Sequence, residues 1–327
     1  MSLPALRALR ARFPHARIAI LAKPWVADLY RRESFADEVI VYPVPGGFRA
    51  LRDKWHLIRD LRRRQFDAAI LLQNAFEAAS VAWFAHIPTR IGYNRDGRGL
   101  LLTHAIDPPA KAEIPRHERF YYLELLRRAG IVEEIADDPV RLEASSAAEA
   151  GRARFRALGW PPGVLGVSPG AAYGSAKCWL PERFAEVAAH VARDRGFAVA
   201  IFGSRDERPL CEQVRTALAG LAPDVPAWNL AGETTLAQFI ELAAACQIFI
   251  TNDSGAMHIA SALGVPTVAI FGATDDIGTG PAGSLSRVVR EPVECSPCLL
   301  RECPIDHRCM TRVTAERVAR TAFELLK

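Results

Sequence analysis

Two short stretches carry residue types able to hold a phosphorylated ligand. The first is Asn252-Asp253-Ser254-Gly255. The apolar, β-branched run Gln247–Thr251 precedes it, and Met257, Ile259, Ala260 and Leu263 follow at helical spacing. Gly264-Val265-Pro266 stops that helix, and Thr267–Phe271 is a second apolar run. The turn thus follows a strand and opens a helix, which is where ligands bind in an open α/β sheet. Free backbone N–H groups and the positive end of the helix dipole suit a phosphate. Gly255 allows close backbone approach, and Asp253 can accept hydrogen bonds from sugar hydroxyls. An ordinary structural reading stands beside this one: Asp253 or Ser254 caps the helix, and His258 is a satisfied structural histidine.

The second stretch runs from Ser168 to Trp179, SPGAAYGSAKCW, and follows the strand-like Val164–Val167. Its small residues let the backbone close around a pyrophosphate, and Lys177 offers that group a cation. The spacing is not G-x4-G-K-[ST], which disfavours an ATP-hydrolysing P-loop. A third cluster, Cys295, Cys298, Cys303 and Cys309, holds four of the seven cysteines at C-x2-C-x4-C-x5-C. In a reducing compartment such clustering points to metal before disulfides. Zinc held by four thiolates, or by three with His307, is one reading, and a loop of reduced thiols is the other.

These residues need elements to position them. At 327 residues, 50% hydrophobic and 24% charged, the chain is long enough for two folded domains. No run of about 18 uninterrupted apolar residues appears, nor a secretory signal pattern at the start, so the expected place is the cytoplasm. Strands are expected at Arg17–Ala22, Glu38–Tyr42, Ala68–Gln73 and Thr89–Tyr93 in the first half. Others are expected at Val164–Val167, Ala198–Phe202 and the two runs flanking the Asn252 turn, with helices between them. This alternation predicts an α/β fold of two Rossmann-like domains, residues 1–150 and 151–327. By the strand-end rule, Gln73 and Asn74 face a cleft, although turn and cap roles explain them equally well. A turn is expected at Pro43–Gly47, before an Arg-rich helix, and Thr234 or Thr235 caps another helix.

The net charge of +4 does not argue for nucleic acid. Positive charge is nonetheless concentrated at Arg49, Arg52, Lys54, Arg59, Arg62, Arg63 and Arg64. Phe48, Leu51, Trp55, Ile58 and Leu61 recur there at helical spacing, which gives a basic amphipathic helix. That helix reads either as an outer helix with a solvated Arg face or as one lying on an anionic membrane surface. It lacks interleaved stacking aromatics, so a nucleic-acid partner is not expected.

The run TNDSGAMHIASALGVPTVAIFG and the form P-G-A-x-x-G-x-x-K-x-W closely resemble the donor-site segments of the ADP-heptose:lipopolysaccharide heptosyltransferases, glycosyltransferase family 9. The cysteine signature resembles the heptosyltransferase II branch. The resemblance implies a GT-B fold, two Rossmann-like domains facing a cleft, with a last helix, Thr314–Leu326, crossing back to the first. It implies an inverting, cofactor-free transfer of L-glycero-D-manno-heptose from ADP-heptose to a heptose of a lipid-linked inner core, at the cytoplasmic face of the inner membrane of a Gram-negative bacterium. The donor side implied is Ala172, Tyr173, Lys177, Ser204, Asp206 or Glu207 (one of the two acids on the ribose), Thr234, Asn252, Asp253, Ser254, Gly255, Ala256 and His258. The acceptor side implied is Gln73, Asn74, Arg95 and Arg98. In the family a strand and an R…G-D loop with the general-base aspartate precede the helix that here spans Met1–Phe13. The expectation is therefore that this strand is missing from the first sheet, with unpaired strand edges, and that the base is expected upstream of Met1. A UDP-sugar transferase or epimerase of similar architecture and a non-catalytic sugar-nucleotide-binding protein are the competing readings.

Overall fold

The structure, a computed structural model, describes residues 1–43 and 48–327, with only the backbone of residues 48–50. Most of the turn expected at Pro43–Gly47, and the side chains of Phe48 and Arg49, lie outside the described residues. The chain divides into two compact units, Met1–Asp138 and Pro139–Lys327. No helix among the described residues is long and apolar enough to cross a membrane.

The first unit runs α1 (Leu3–Arg12), β1 (Ala19–Ala22), α2 (Pro24–Arg31), β2 (Glu38–Val41), α3 (Phe48–Arg63), β3 (Ala68–Leu71), α4 (Phe76–Phe84), β4 (Thr89–Tyr93), β5 (His104–Ile106) and α5 (Glu118–Arg128). Its strands form two parallel sheets, β1-β2 and β3-β4-β5. Among the described residues, β1 and β3 therefore each keep an unpaired edge. The basic helix α3 folds with a different inner face from the one its spacing suggested. Leu57, Ile58 and Leu61 are buried against Val81, Ala82, Ala85 and Ile87. Leu51 and Trp55, expected on the same inner face, are 60% and 53% exposed.

The second unit runs α6 (Ser145–Ala157), β6 (Val164–Ser168), α7 (Pro181–Arg195), β7 (Ala198–Ile201), α8 (Arg208–Leu221), β8 (Ala227–Asn229), α9 (Leu236–Ala244), β9 (Ile248–Asn252), α10 (Gly255–Ala262), β10 (Thr267–Phe271), β11 (Ser286–Arg290), α11 (Arg308–Thr311) and α12 (Ala315–Leu325). All six strands are parallel, in the order β11-β10-β9-β6-β7-β8. β6, β9 and β10 are buried at every position, as strands covered on both faces must be, which explains their unbroken apolar sequence. Phe184, Val187, Ala188 and Val191 of α7 share a core with Val167, Ile201, Ile250 and Ile270. α12, the helix expected to cross back, buries Val318, Ala319 and Ala322 in this same core. On the other face, Phe155, Trp160 and Trp228 stack in sequence, with centroids 4.9 and 3.7 Å apart. These contacts fix the strand ends from which the candidate site is built.

Candidate functional site

The strand order of the second unit reverses between β6 and β9, which pair side by side with Ser168 opposite Thr251. In an open parallel sheet such a reversal leaves a crevice at the carboxyl ends of the two strands. Both stretches singled out from the sequence leave from that point. β6 leads into the 169–179 loop and β9 into the Asn252–Gly255 turn.

Across the crevice, Lys177 Nζ donates to Asp253 Oδ2 at 2.6 Å, and their side chains are 14% and 5% exposed. Thr274, just beyond β10, donates its hydroxyl to the same oxygen at 2.7 Å. The carboxylate is therefore fixed from two sides, and the ammonium lies where the loop and the start of α10 meet. Asn252 is fully buried and faces inward. Its Oδ1 accepts from Trp179 N at 3.0 Å, and its Nδ2 donates to Pro169 O at 2.5 Å. This side chain ties the lysine loop to β9. Ser254 caps α10, its hydroxyl accepting from Met257 N at 3.4 Å. Gly255 is exposed, and Ala256 and His258 are half-buried along the first turns of that helix.

The cysteine segment forms the outer support of the lysine loop. Ala172 is exposed. Tyr173 donates its hydroxyl to Leu299 O at 2.8 Å, and its ring lies 4.8 Å from Lys177 Nζ and 5.4 Å from the Arg301 guanidinium. Ala176 N donates to Arg301 O at 3.0 Å, and His307 Nε2 is 3.0 Å from Ala176 O. Gly174 has φ 155°, and a Cβ there would stand 2.2 Å from Arg301 O, so only glycine permits this approach. Of the two readings of the cysteine cluster, the zinc site finds no support. Among the described residues, no group of three or more His, Cys, Asp or Glu is placed to hold a metal ion, and all seven cysteines are free thiols. His307 is engaged with the lysine loop, Cys309 is buried beside Gly272, and Cys295 is exposed. Burial, helped by the other three thiols nearby, pushes the Cys309 thiol above its ordinary pKa.

At the next strand end, Glu207 folds back so that its carboxylate accepts from Ser204 N at 2.7 Å. Ser204 Oγ accepts from Glu207 N at 3.3 Å. The Glu207 carboxyl group also fills the space in which a Cβ on Gly170 would sit, only 2.2 Å away, so it bridges the β6 and β7 turns. Asp206 is exposed and lies outside this arrangement. Thr235, and not Thr234, caps α9, in a reciprocal capping box with Gln238. Thr234 is left half-buried beside it.

In the first unit, the four expected acceptor-side residues form one network, and Arg98 plays a different part from the one expected. Arg98 is fully buried, and burial holds its pKa below the ordinary value. Its Nε donates to Tyr93 O at 2.8 Å, and its terminal nitrogens donate to Gln73 O and, at 3.1 Å, to Asn74 Oδ1. A guanidinium turned inward onto three oxygens holds the turn after β3 in place and offers nothing to solvent. Asn74 Nδ2 in turn donates to Tyr121 OH at 3.0 Å. Gln73 and Arg95 are exposed, and a hydrogen bond with Tyr121 holds Arg95 above its ordinary pKa. Sequence reasoning missed Tyr121 and Thr274 as partners. Thr274 carried a usable signal, because it follows the carboxyl end of a predicted strand. Tyr121, in mid-helix, carried none.

The family described as glycosyltransferase family 9 (heptosyltransferase) matches residues 54–308. Lipopolysaccharide heptosyltransferase 2 of Escherichia coli (strain K12) is 34% identical over 297 residues, covering 89% of this chain and 84% of the relative. The Salmonella typhimurium protein of the same name is 33% identical over the same shares. The solved structure of E. coli ADP-heptose lps heptosyltransferase II matches with a TM-score of 0.81 at 28% identity, over 99% of this chain and 94% of that one. The α/β architecture with parallel sheets is thus that of the GT-B heptosyltransferases. With the family matched over most of its length, the chain belongs to glycosyltransferase family 9, the heptosyltransferases.

Proposed function

We propose that this chain transfers L-glycero-D-manno-heptose from ADP-heptose to a heptose of the lipopolysaccharide inner core, inverting the anomeric centre. The observation that carries the reading is the Lys177–Asp253–Thr274 constellation at the reversal of the second sheet, beside the start of α10. A diphosphate leaving group needs a cation and aligned N–H donors where its charge develops. Lys177 supplies the cation, and the Gly255 and Ala256 N–H groups supply the donors. Asp253, with Oδ2 held by Lys177 and Thr274, presents its other oxygen to a hydroxyl of the donor sugar. Glu207 is the better placed of the two acids for the ribose, since its carboxylate spans the β6 and β7 turns. The base of the nucleotide then lies toward Thr234.

The acceptor oxygen bonds to the anomeric carbon on the face opposite the diphosphate as the bond to ADP breaks, so the sugar is inverted in one step and the hydroxyl proton passes to a carboxylate base. Gln73 and Arg95 are the exposed members of the acceptor side, on a turn held by Arg98. The first unit, Met1–Asp138, serves the acceptor and the second, Pro139–Lys327, the donor. The acceptor is lipid-linked, so the reaction runs at the cytoplasmic surface of the inner membrane. The experiment is a melting-temperature comparison with ADP and UDP at equal concentration. ADP alone should raise the melting temperature. A rise with UDP alone contradicts the donor assignment and returns the chain to the UDP-sugar enzymes.

A further inference from the structure

The outer face of α3 and the end of α4 leave an aromatic surface uncovered. Trp55, Trp83 and Phe84 are 53%, 46% and 42% exposed. They form one patch, with Trp55 and Phe84 centroids 5.6 Å apart and Trp83 and Phe84 centroids 4.9 Å apart. Leu51, one turn before Trp55, is 60% exposed. A contiguous apolar patch of this kind on a folded domain marks a surface that meets something. The cations on the same helix say what it meets. Arg52, Arg59, Arg62 and Arg63 are all exposed, and the last three make no ion pair among the described residues. The carboxylates of the helix do not cancel these three, since Asp60 is engaged by Arg64 and Asp53 by Arg52.

We infer that this face of the first unit docks on a bilayer surface rich in anionic lipid headgroups. Tryptophan rings sit at the depth of the headgroups, with an apolar body and an N–H that stays hydrated. Arginines beside them meet lipid phosphates. The helix need not insert deeply, because Leu57, Ile58 and Leu61 remain in the protein core and hold it. The inference rests on the transferase reading only in supplying a reason for a membrane surface, namely a lipid-linked acceptor.

The test is co-sedimentation of the whole chain with vesicles of phosphatidylcholine alone or with phosphatidylglycerol, at about 0.1 M salt. The wild type should bind the mixed vesicles and not the neutral ones. Arg59→Gln with Arg62→Gln and Arg63→Gln should weaken binding by roughly fivefold per arginine. Trp55→Ala with Trp83→Ala should weaken it at least about tenfold. Both variants should keep the wild-type circular dichroism spectrum and urea unfolding curve, which shows that the first unit is folded, and the wild-type response to ADP. Absence of binding to mixed vesicles by the wild type, or unchanged binding by both variants, overturns the inference. So does retention on duplex DNA or RNA that competes with the vesicles. Vesicle binding without any ADP response counts against the transferase reading and leaves this one standing.

Discussion

Replacing Lys177 by alanine separates two roles that the structure superimposes. The ammonium pairs with Asp253 in the free protein at 2.6 Å, with both side chains largely buried. In the proposed site it also faces the donor diphosphate. A hydrogen bond to a charged group contributes about 1.5–3 kcal/mol, so its loss should weaken ADP binding about 10- to 150-fold. The folded state should suffer as well, because a mostly buried carboxylate loses its cation. Complete loss of a buried partner costs about 3–5 kcal/mol. Here Thr274 still donates to Asp253 and a little solvent reaches the pair, so about 1–3 kcal/mol is expected. Titration calorimetry with ADP at fixed ionic strength measures the first effect and urea unfolding the second. Lys177→Ala combined with Asp253→Ala completes the cycle. Stability should recover in the double variant, since no orphan charge remains, while ADP affinity should stay low. Wild-type ADP affinity in Lys177→Ala, with only stability reduced, refutes the reasoning and leaves Lys177 as a latch for Asp253.

Gly174→Ala should push the cysteine segment off the lysine loop, because its Cβ meets a backbone oxygen of Arg301. About 1–3 kcal/mol of stability should be lost in denaturant titration, with a weaker ADP response. Arg98→Met should leave Tyr93 O, Gln73 O and Asn74 Oδ1 without their donor and cost about 3–5 kcal/mol, read as an earlier unfolding of the first unit. A third prediction concerns acid. The Glu124 carboxyl is held below its ordinary pKa, first by its hydrogen bond from Arg127 and also by Arg128. A carboxyl with a lowered folded pKa stabilises above its unfolded value, and that contribution disappears as pH falls through the folded one. Glu124→Gln should therefore be less stable than wild type at pH 7, and the gap should close below about pH 4.5 in matched urea titrations.

Much of the second unit was legible because parallel strands buried on both faces write themselves as apolar runs, and the site turns interrupt those runs. The Val164 and Ile248 strands were found this way, as was the α10 turn. β11 escaped because it is an edge strand whose arginines, Arg287 and Arg290, flank Val288 and Val289 and cut the apolar run to two residues. β5 escaped because it has three residues. The pairing of Lys177 with Asp253 spans 76 positions, so no local pattern carries it. Arg98 shows a different limit. An arginine in a polar loop reads as solvated, and its actual partners include two backbone carbonyls, which sequence does not distinguish. Asn252 is a similar case, since its side chain serves the backbone at Trp179 and Pro169. In α3 the periodicity showed that an apolar face exists, and Ile58 and Leu61 lie on the buried side as expected, but the helix is turned so that Leu57 is buried and Leu51 and Trp55 are not. Cysteine spacing counted thiols without giving the direction in which each points.

The central claim is heptose transfer, and it is tested most directly by the mass of the acceptor. The purified chain is incubated with ADP-L-glycero-D-manno-heptose and an inner-core acceptor ending in heptose, and both products are followed by mass spectrometry. The account predicts that the acceptor gains one heptosyl unit for each ADP released, and that a UDP-hexose supplied in place of the donor gives none. An unchanged acceptor, with ADP still bound by the protein, contradicts it and makes this chain a sugar-nucleotide-binding protein.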